Sequence, residues 1–146
     1  MYQRILIATD GSELSEKAVS SGISLAVGLD AEIVAFTAVP RYPSMYFEGA
    51  VVLTAAEVGR IEKEWHLKAQ ALVDAVQEEA HRHSVKAKAV TGTGLVSESI
   101  IKAAKKHKCD LIVMASHGRK GLGRLLLGSE TLDVLTHSHI PVLVLR

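Results

Sequence analysis

Hydrophobic and polar residues follow two alternating patterns along the chain. Short apolar runs, rich in Ile, Val and Leu, are typical of strands in a parallel sheet that is covered on both faces. Between these runs, apolar residues recur every three or four positions, which predicts amphipathic helices. The runs predict five strands, at residues 4–9, 32–39, 85–90, 111–114 and 141–145. Strands that alternate with helices predict an α/β fold with a parallel sheet.

Local signals mark the ends of the four predicted helices. Ser12 can cap the first helix, and Asp30 suits its exit. Thr54 and Glu57 form a capping box at the start of the second helix. Trp65 lies on the apolar face of this second helix and is expected to belong to the core. The other two helices are predicted at residues 97–108 and 130–136.

Residues 41–53 follow no clean period and contain the aromatic residues Tyr42, Tyr46 and Phe47. Such a segment fits a loop that covers a ligand, because long loops in compact domains often carry function. It fits equally well a surface connection whose aromatic side chains are half-buried. The sequence leaves both interpretations open.

The composition fits a single domain over residues 1–146. With 48% hydrophobic residues, the chain can bury one sizeable core, and a second domain would be implausibly small. The formal net charge of +1 gives no reason to expect a nucleic acid as partner. No apolar run approaches the roughly 18 residues of a membrane span, so no membrane partner is expected.

The cysteine content and the N-terminal residues predict a cytoplasmic protein. Cys109 is the single cysteine, so no internal disulfide can form, which agrees with a reducing compartment. It directly precedes a buried strand and is expected to be an inert, packed thiol. The first strand begins close to the N-terminus without a signal-like apolar region.

A basic, glycine-rich stretch, residues 116–129, follows the fourth strand. It carries Arg119, Lys120 and Arg124, and it leads directly into the fourth predicted helix. A strand, a basic loop and a helix N-terminus together make an anion site, because free backbone N–H groups and the positive end of the helix dipole converge there. Phosphate is the expected anion.

Two well-known phosphate loops do not fit this chain. A Walker A loop needs Gly-Lys-Ser/Thr, which occurs nowhere in the sequence. The dinucleotide fingerprint Gly-x-Gly-x-x-Gly is approached by the stretch from Gly92 and Gly94 to Ser97, where serine replaces the last glycine. This partial match is discounted as a fingerprint, because its last glycine is missing.

The stretch resembles the universal stress protein family, whose nucleotide-binding members carry Gly-x2-Gly-x9-Gly-Ser/Thr at this place. Here the pattern is Ala115-x2-Gly118-x9-Gly128-Ser129, so the first position is alanine. The resemblance extends over nearly the whole chain. It implies a three-layer, open, parallel five-stranded sheet in the order 3-2-1-4-5 with helices on both faces, which is a Rossmann-like, adenine nucleotide alpha hydrolase-like fold.

The resemblance also implies which residues surround a nucleotide. The acid after the first strand, Asp10, would bind the ribose, and Ala38 at the end of the second strand would meet adenine through its backbone. Gly118, Arg119 and Ser129 would help to hold the phosphates. The full set of expected site residues is Thr9, Asp10, Ala38, Met114, Ala115, His117, Gly118, Arg119, Gly128, Ser129 and Glu130.

Several of these residues also have a structural interpretation. Asp10 could merely cap the first helix, as short acids often do. Gly118 and Gly128 could supply positive φ angles in turns. His117 is expected to be a structural hydrogen-bonding residue rather than a catalyst. Ala115 directly follows a strand run, so its φ is expected to be negative and its methyl group to point to one face of the sheet.

A metal ion is expected to be bound by the phosphates of the nucleotide and not by a dedicated set of protein ligands. The phosphates carry more negative charge than the nearby basic residues neutralise, so Mg2+ or Mn2+ should bridge them. Asp10 and Glu130 add to the excess of negative charge. The histidine pairs of the chain have no third ligand nearby in sequence. These pairs are His81 with His83 and His137 with His139.

The implied function is that of a regulatory stress-response protein that binds ATP, or AMP or ADP. Any hydrolysis would be slow, because no residue stands out to position an attacking water. The alternatives are a protein of the same fold that binds no nucleotide and acts through its dimer surface, or a slow ATPase. The sequence does not identify a signalling partner. The fifth strand, with Ile140, Val142 and Val144, would lie at a sheet edge, which predicts a homodimer through that edge.

Overall fold

A computed structural model describes residues 1–42, 53–118 and 127–146. Its strands and helices alternate in the way the sequence predicts. The strands are β1 (Arg4–Ala8), β2 (Glu32–Val39), β3 (Ala87–Thr93), β4 (Leu111–Ala115) and β5 (Val142–Leu145). The helices are α1 (Glu13–Leu29), α2 (Ala55–Arg82), α3 (Val96–Lys106) and α4 (Ser129–His137).

The five strands form one parallel sheet in the order β3-β2-β1-β4-β5. This order confirms the fold class that the resemblance implies. β1 lies at the centre, where Ile5, Leu6 and Ile7 are fully buried. Because β1 pairs with β2 on one side and with β4 on the other, the direction of winding reverses between β1 and β4. The carboxyl ends of these two strands therefore flank the switch point of the sheet.

The helices cover both faces of the sheet and bury side chains of alternate strand residues. On one face, Ala18 and Ile23 of α1 pack with Ile5 and Ile7, and α2 buries Val73 against the same layer. On the other face, α3 and α4 pack against Leu6, Val34 and Met114, among other residues. The alternation follows from the two-residue period of a strand, whose successive side chains point to opposite faces.

The helix ends agree with the sequence signals in two places and differ in one. Ser12 is the N-cap of α1, and Asp30 ends that helix in the left-handed region with φ 55°. Thr54 and Glu57 form the predicted capping box. At α4, however, Gly128 is the N-cap and the helix begins at Ser129, one residue before the predicted start.

The position of Trp65 differs from the core position predicted for it. The side chain is only partly buried, and its ring stacks on that of Tyr42 with a centroid distance of 6.1 Å. The residues of α2 that are buried against the sheet, such as Val73 and Val76, lie further along the helix. The first turns of this 28-residue helix contain no buried residue, so an apolar face alone does not indicate burial there. Most of the 41–53 segment lies outside the described residues.

Candidate functional site

A cleft of about 540 Å³ opens at the carboxyl ends of β1 and β4. It lies on the α3 and α4 face of the sheet, because its floor consists of side chains from the core cluster on that face. These floor residues are Ala8, Phe36, Ile100 and Met114. Its rim is polar and comes from the turn between β1 and α1 and from the segments on either side of residues 119–126. The cleft therefore combines an apolar floor with a polar rim at the switch point of the sheet.

Almost all of the expected site residues line this one cleft, although they come from three distant parts of the sequence. Arg119 lies outside the described residues, as do Lys120 and Arg124. The expected residues that line the cleft are Thr9, Asp10, Ala38, Met114, Ala115, His117, Gly118, Gly128, Ser129 and Glu130. The structure thus brings these residues together.

The turn after β1 is fixed by hydrogen bonds around Thr9. The Thr9 hydroxyl lies 3.0 Å from the Ser15 hydroxyl and accepts from the backbone N–H of Gly11 at 3.2 Å. The Thr37 hydroxyl donates to the Thr9 carbonyl oxygen at 2.7 Å. Gly11 has a φ of 78°, a conformation that favours glycine. This network presents Asp10, the residue between Thr9 and Gly11, at the rim of the cleft.

Asp10 does not cap α1. The cap is Ser12, whose hydroxyl oxygen accepts from the backbone N–H of Ser15 at 3.3 Å. The Asp10 carboxylate accepts from the backbone N–H of Ser12 at 2.9 Å, and the residue is exposed. The structural interpretation of Asp10 as a helix cap is therefore wrong, and its carboxylate lines the cleft.

The two ends of the 119–126 segment are held together on the other side of the cleft. The backbone N–H of Gly128 donates to the Ser116 carbonyl oxygen at 2.7 Å. The Thr131 hydroxyl donates to the Ala115 carbonyl oxygen at 2.9 Å. The Ser116 hydroxyl lies 3.2 Å from Nδ1 of His117, which agrees with a structural hydrogen-bonding role for this histidine. These contacts fix the start of α4 against the end of β4.

Glycine is required at positions 118 and 128 because a side chain would be too close to neighbouring atoms, and not because of the backbone angles. Neither glycine has a positive φ, and Gly128 has a φ of −62°, so the interpretation that they supply positive φ angles is wrong. A Cβ atom on Gly118 would lie 2.5 Å from Oδ2 of Asp10. A Cβ atom on Gly128 would lie 3.2 Å from Cα of His117. Gly118 therefore lets the two sides of the cleft approach each other closely, and Gly128 lets the start of α4 approach the end of β4.

The N-terminus of α4 points its first backbone N–H groups toward the rim. Its N-cap, Gly128, offers no side-chain hydrogen bond, so no side chain of the cap satisfies the N–H groups of the first turn. Ser129 and Glu130 occupy that turn and are exposed. Such a helix end favours a bound anion, because the helix dipole is positive there. The negative charge of Glu130, in contrast, repels a nearby phosphate.

Ala115 places its methyl group away from the floor of the cleft. It is the last residue of β4, and its side chain packs in the core cluster of the α1 face together with Ile7 and Val113. Its neighbour Met114 packs in the cluster of the opposite face, which forms the floor. Ala115 is not among the described residues with a positive φ. The expectations for its backbone and for its methyl group are therefore confirmed.

Sequence reasoning did not identify several further residues that line the cleft. Phe36 could have been found, because it lies two residues before Ala38 and the two share one face of β2. Thr131 and Ser15 carry no motif that separates them from ordinary helix residues. Val96 and Ile100 reach the cleft from α3, and only the packing of that helix on the sheet shows it.

Other groups with metal-binding or nucleophilic chemistry form no site in the parts of the chain that the structure describes. Those parts contain no cluster of three His, Cys, Asp or Glu residues that could hold a metal ion. Burial raises the pKa of the Cys109 thiol to about 11, so this cysteine is protonated at neutral pH, as expected for an inert thiol. Across the described ranges, no helix has both the length and the apolar character needed to cross a membrane.

The sheet order and the position of the cleft define an open α/β protein of the doubly wound type, in which ligands bind beside the switch point. The sequence profile of the universal stress protein family matches residues 1–146. The chain is 34% identical to universal stress protein MJ0531 of Methanocaldococcus jannaschii over 148 aligned positions, which cover all of this chain and 83% of that protein. The chain therefore belongs to the universal stress protein family.

Solved structures of family members share the fold. The structure of MJ0577 of Methanocaldococcus jannaschii superposes with a TM-score of 0.78 at 28% identity and covers 99% of this chain and 96% of its own. A universal stress protein in complex with cAMP superposes with a TM-score of 0.72 at 23% identity, over 99% of this chain and 97% of its own. The universal stress protein of Archaeoglobus fulgidus in complex with dAMP superposes with a TM-score of 0.68 at 14% identity, over 99% of this chain and 98% of its own.

Proposed function

We propose that this protein is a regulatory stress-response protein that binds ATP, or AMP or ADP, in the cleft between β1 and β4. The observation that carries the proposal is the composition of the cleft. An apolar floor lies beneath a rim that has a carboxylate on one side and a helix N-terminus without a side-chain cap on the other. A nucleotide has an apolar base, a ribose and an anionic phosphate chain, and each part finds a matching surface.

The base and the ribose match the β1 and β2 side of the cleft. Phe36 and Met114 offer apolar surface to the adenine ring, and Ala38 at the end of β2 offers its backbone. The Asp10 carboxylate can accept hydrogen bonds from the ribose hydroxyl groups. The Thr9 network holds the turn that carries Asp10, so the carboxylate is positioned before the ligand arrives.

The phosphates match the α4 side of the cleft. The first-turn N–H groups of α4 and the Ser129 hydroxyl can donate to phosphate oxygens. Gly118 leaves room between the two rims, because a side chain there would meet the Asp10 carboxylate, and Gly128 lets the start of α4 pack closely against His117. The cAMP and dAMP complexes of the two family members named above support an adenine nucleotide as the ligand class.

Isothermal calorimetry with ATP and Mg2+ tests the proposal. We expect the parent protein to bind with a dissociation constant in the range of about 1 to 100 μM, which corresponds to roughly 5.5 to 8 kcal/mol. Gly118→Val should abolish the binding, because its side chain meets the Asp10 carboxylate. The matched control is Gly59→Val on α2, where a Cβ atom would meet nothing within 4 Å, and this variant should bind ATP like the parent.

Two results would contradict the proposal. One is a folded parent protein that gives no heat with ATP, AMP or ADP. The other is a folded Gly118→Val variant with unchanged affinity, which would place the nucleotide elsewhere. Mass spectrometry of small molecules released from the denatured, purified parent protein gives an independent readout, because an adenine nucleotide that co-purifies would support the proposal without calorimetry.

We further propose that Mg2+ or Mn2+ bridges the bound phosphates. Asp10 and Glu130 both line the cleft, so two carboxylates add to the negative charge of a triphosphate. Hard divalent ions prefer phosphate and water oxygens and need few protein ligands. Calorimetry with ATP should therefore show about tenfold weaker binding in EDTA than in Mg2+, a difference of roughly 1.4 kcal/mol. Equal affinity under both conditions would remove the metal from the proposal.

A second candidate function is an interaction protein that binds no nucleotide and acts through its dimer surface. The observation that favours it is the open edge of β5, where Leu143 is 40% exposed. Binding of ATP by the parent protein separates the two candidates, because only the first requires it.

A further inference from the structure

A second cleft, of about 440 Å³, lies at the carboxyl ends of β2 and β3. It shares no lining residue with the first cleft, and it lies on the far side of the start of α3. Its lining residues are Pro40, Arg41, Thr93, Gly94, Leu95, Glu98, Ser99 and Lys102. Most of them are polar or charged, in contrast to the apolar floor of the first cleft.

Ser99 is a mostly buried residue whose hydroxyl faces this cleft without a hydrogen-bond partner among the described residues. The residue is only 9% exposed. Its backbone N–H donates to the Leu95 carbonyl oxygen at 2.9 Å, but its hydroxyl makes no hydrogen bond with any residue in the described ranges. Every side-chain oxygen or nitrogen of those residues that is sealed from solvent has a hydrogen-bond partner. Because the Ser99 hydroxyl has no such partner, it must be in contact with solvent, and it opens into the cleft that Ser99 lines. The hydroxyl is therefore available to a ligand or a water that occupies the cleft.

The backbone around the start of α3 is also suited to an approaching ligand. The N-cap of α3 is Leu95, which makes no side-chain capping bond and belongs to a residue type that is disfavoured at this position. Gly94 has a φ of 124°, which side chains rarely allow. The backbone N–H of Gly94 donates to the Val39 carbonyl oxygen at 3.1 Å, so the turn is anchored to β2. The first-turn N–H groups of this 11-residue helix are therefore held at the cleft without a side-chain cap.

Two basic side chains flank the same cleft and are not neutralised by ion pairs. Neither Arg41 nor Lys102 forms a salt bridge within the described parts of the chain. Glu98 is the one acid in the lining, so the lining residues carry two positive charges against one negative charge. The local charge therefore favours an anion, as does the positive end of the α3 dipole.

We propose that this second cleft binds the phosphate group of a small molecule. The hydroxyl of Ser99, the first-turn N–H groups of α3 and the side chains of Arg41 and Lys102 form a set of donors that suits an anion with several oxygen atoms. A carboxylate has only two oxygens and would leave part of this set unused. Gly94 lines this cleft, and a glycine at that position allows the backbone to approach a phosphate closely.

Nuclear magnetic resonance with the ¹⁵N-labelled full chain and inorganic phosphate tests this proposal. The amide resonances of Gly94, Val96 and Ser97 should shift with a saturable dependence on phosphate concentration. Sodium acetate at the same ionic strength should not reproduce these shifts. Equal, saturable shifts with acetate would overturn the assignment of a phosphate site.

Ser99→Ala removes the hydroxyl and should weaken phosphate binding at these resonances by about tenfold, which is the loss expected for one hydrogen bond to a charged group. The matched control is Ser24→Ala on the exposed side of α1, which should leave the affinity unchanged. Gly118→Val, which fills the first cleft, should also leave it unchanged. The result is therefore independent of whether the first cleft binds ATP.

Thermal unfolding separates a ligand role of Ser99 from a structural role. Because its hydroxyl has no partner among the described residues, Ser99→Ala should unfold at the same temperature as the parent in phosphate-free buffer. Phosphate should raise the unfolding temperature of the parent more than that of Ser99→Ala. Shifts of Gly94, Val96 and Ser97 that are absent in the parent, or identical in a folded Ser99→Ala variant, would overturn the proposal.

Discussion

At the scale of single residues, the methyl group of Ala115 tests how the cleft between β1 and β4 tolerates a departure from the family pattern. Its side chain packs in the core cluster of the α1 face and not on the floor of the cleft. We therefore expect Ala115→Gly to bind ATP as tightly as the parent in calorimetry. The variant should lose about 1 to 2 kcal/mol of stability, because a buried methyl group is removed and glycine is disfavoured in a strand.

The control for Ala115→Gly is Ala35→Gly on β2, which removes another buried methyl group, one that packs against Val73. Both variants should lose similar stability and keep the affinity of the parent for ATP. If the parent fails to bind ATP while Ala115→Gly binds it, the methyl group blocks the cleft. The interaction-protein alternative would then be preferred.

The residues of the cleft show what could be predicted from the sequence and what could not. The spacing of Gly118 and Gly128 identified both glycines, because a long and specific motif needs no coordinates. The reason for glycine at position 118 did not follow from the motif, because it depends on the distance to Asp10, which is more than a hundred residues away in the chain. Ser99 of the second cleft was not identified from the sequence, because a serine without a hydrogen-bond partner cannot be told there from a serine with one.

At the scale of secondary structure elements, Glu32 joins three strands at the end of the sheet opposite to both clefts. Its carboxylate accepts from Nε and Nη2 of Arg4 in β1 at 3.0 and 2.7 Å, and from Nζ of Lys86 at 2.8 Å. Lys86 directly precedes β3. The hydrogen bonds from Lys86 and Arg4 hold the pKa of Glu32 below its ordinary value of 4.5.

This lowered pKa gives a prediction for the pH dependence of stability. A carboxyl group with a lowered folded-state pKa stabilises the fold above its unfolded pKa, and the stabilisation is lost as the pH falls through the folded pKa. Glu32→Gln should therefore unfold at a temperature lower by about 1 to 3 °C at pH 7, an effect kept small by solvent exposure. The difference should shrink as the pH is lowered below 4.5.

Calorimetric scans of parent and variant at several pH values measure this difference. The comparison variant is Glu64→Gln, which loses an exposed pair with Lys68 within α2 and should change the unfolding temperature less. A difference between parent and Glu32→Gln that stays constant from pH 7 down to pH 3 would show that the three-strand contact does not act through the charge of Glu32.

The elements themselves were largely predictable, with one exception at the edge of the sheet. β3 begins at Ala87 instead of residue 85 and continues to Thr93, through a glycine that was expected in a turn. Val85 is not available for the sheet, because its backbone N–H closes the end of α2 by donating to the Ala80 carbonyl oxygen. Gly92 and Thr93 join the strand because they pair with the last residues of β2. Such pairing depends on the neighbouring strand and is not visible in a local pattern.

At the scale of the whole molecule, β5 is an edge strand that pairs only with β4 among the described residues, and we expect a second copy of the chain to cover this edge. The carbonyl oxygens of Pro141 and Leu145 accept from β4. Because backbone groups of a strand alternate in direction, those of Val142 and Val144 point to the open edge. Ile140 differs, because its N–H and carbonyl oxygen both bond to the Ser138 hydroxyl. Light scattering at micromolar concentration should give about twice 15.7 kDa.

Val144→Pro tests whether the dimer forms through this edge. Proline removes an N–H group that points away from β4, so it should weaken a dimer without breaking a bond to β4. We expect a monomer in light scattering, with a circular dichroism spectrum like that of the parent. A parent protein that is a stable monomer at micromolar concentration would count decisively against the dimer, as would a folded Val144→Pro variant that remains dimeric.

The stacked rings of Tyr42 and Trp65 give the protein an internal optical probe. Trp65 is the one tryptophan of the chain, so all indole fluorescence comes from the place where α2 meets the residues that follow β2. Its emission should shift to longer wavelengths when this junction opens, because the indole ring then becomes exposed to water. The probe belongs to the helix layer on the face of the sheet opposite the floor of the first cleft, so its emission can report on separation of that layer from the sheet.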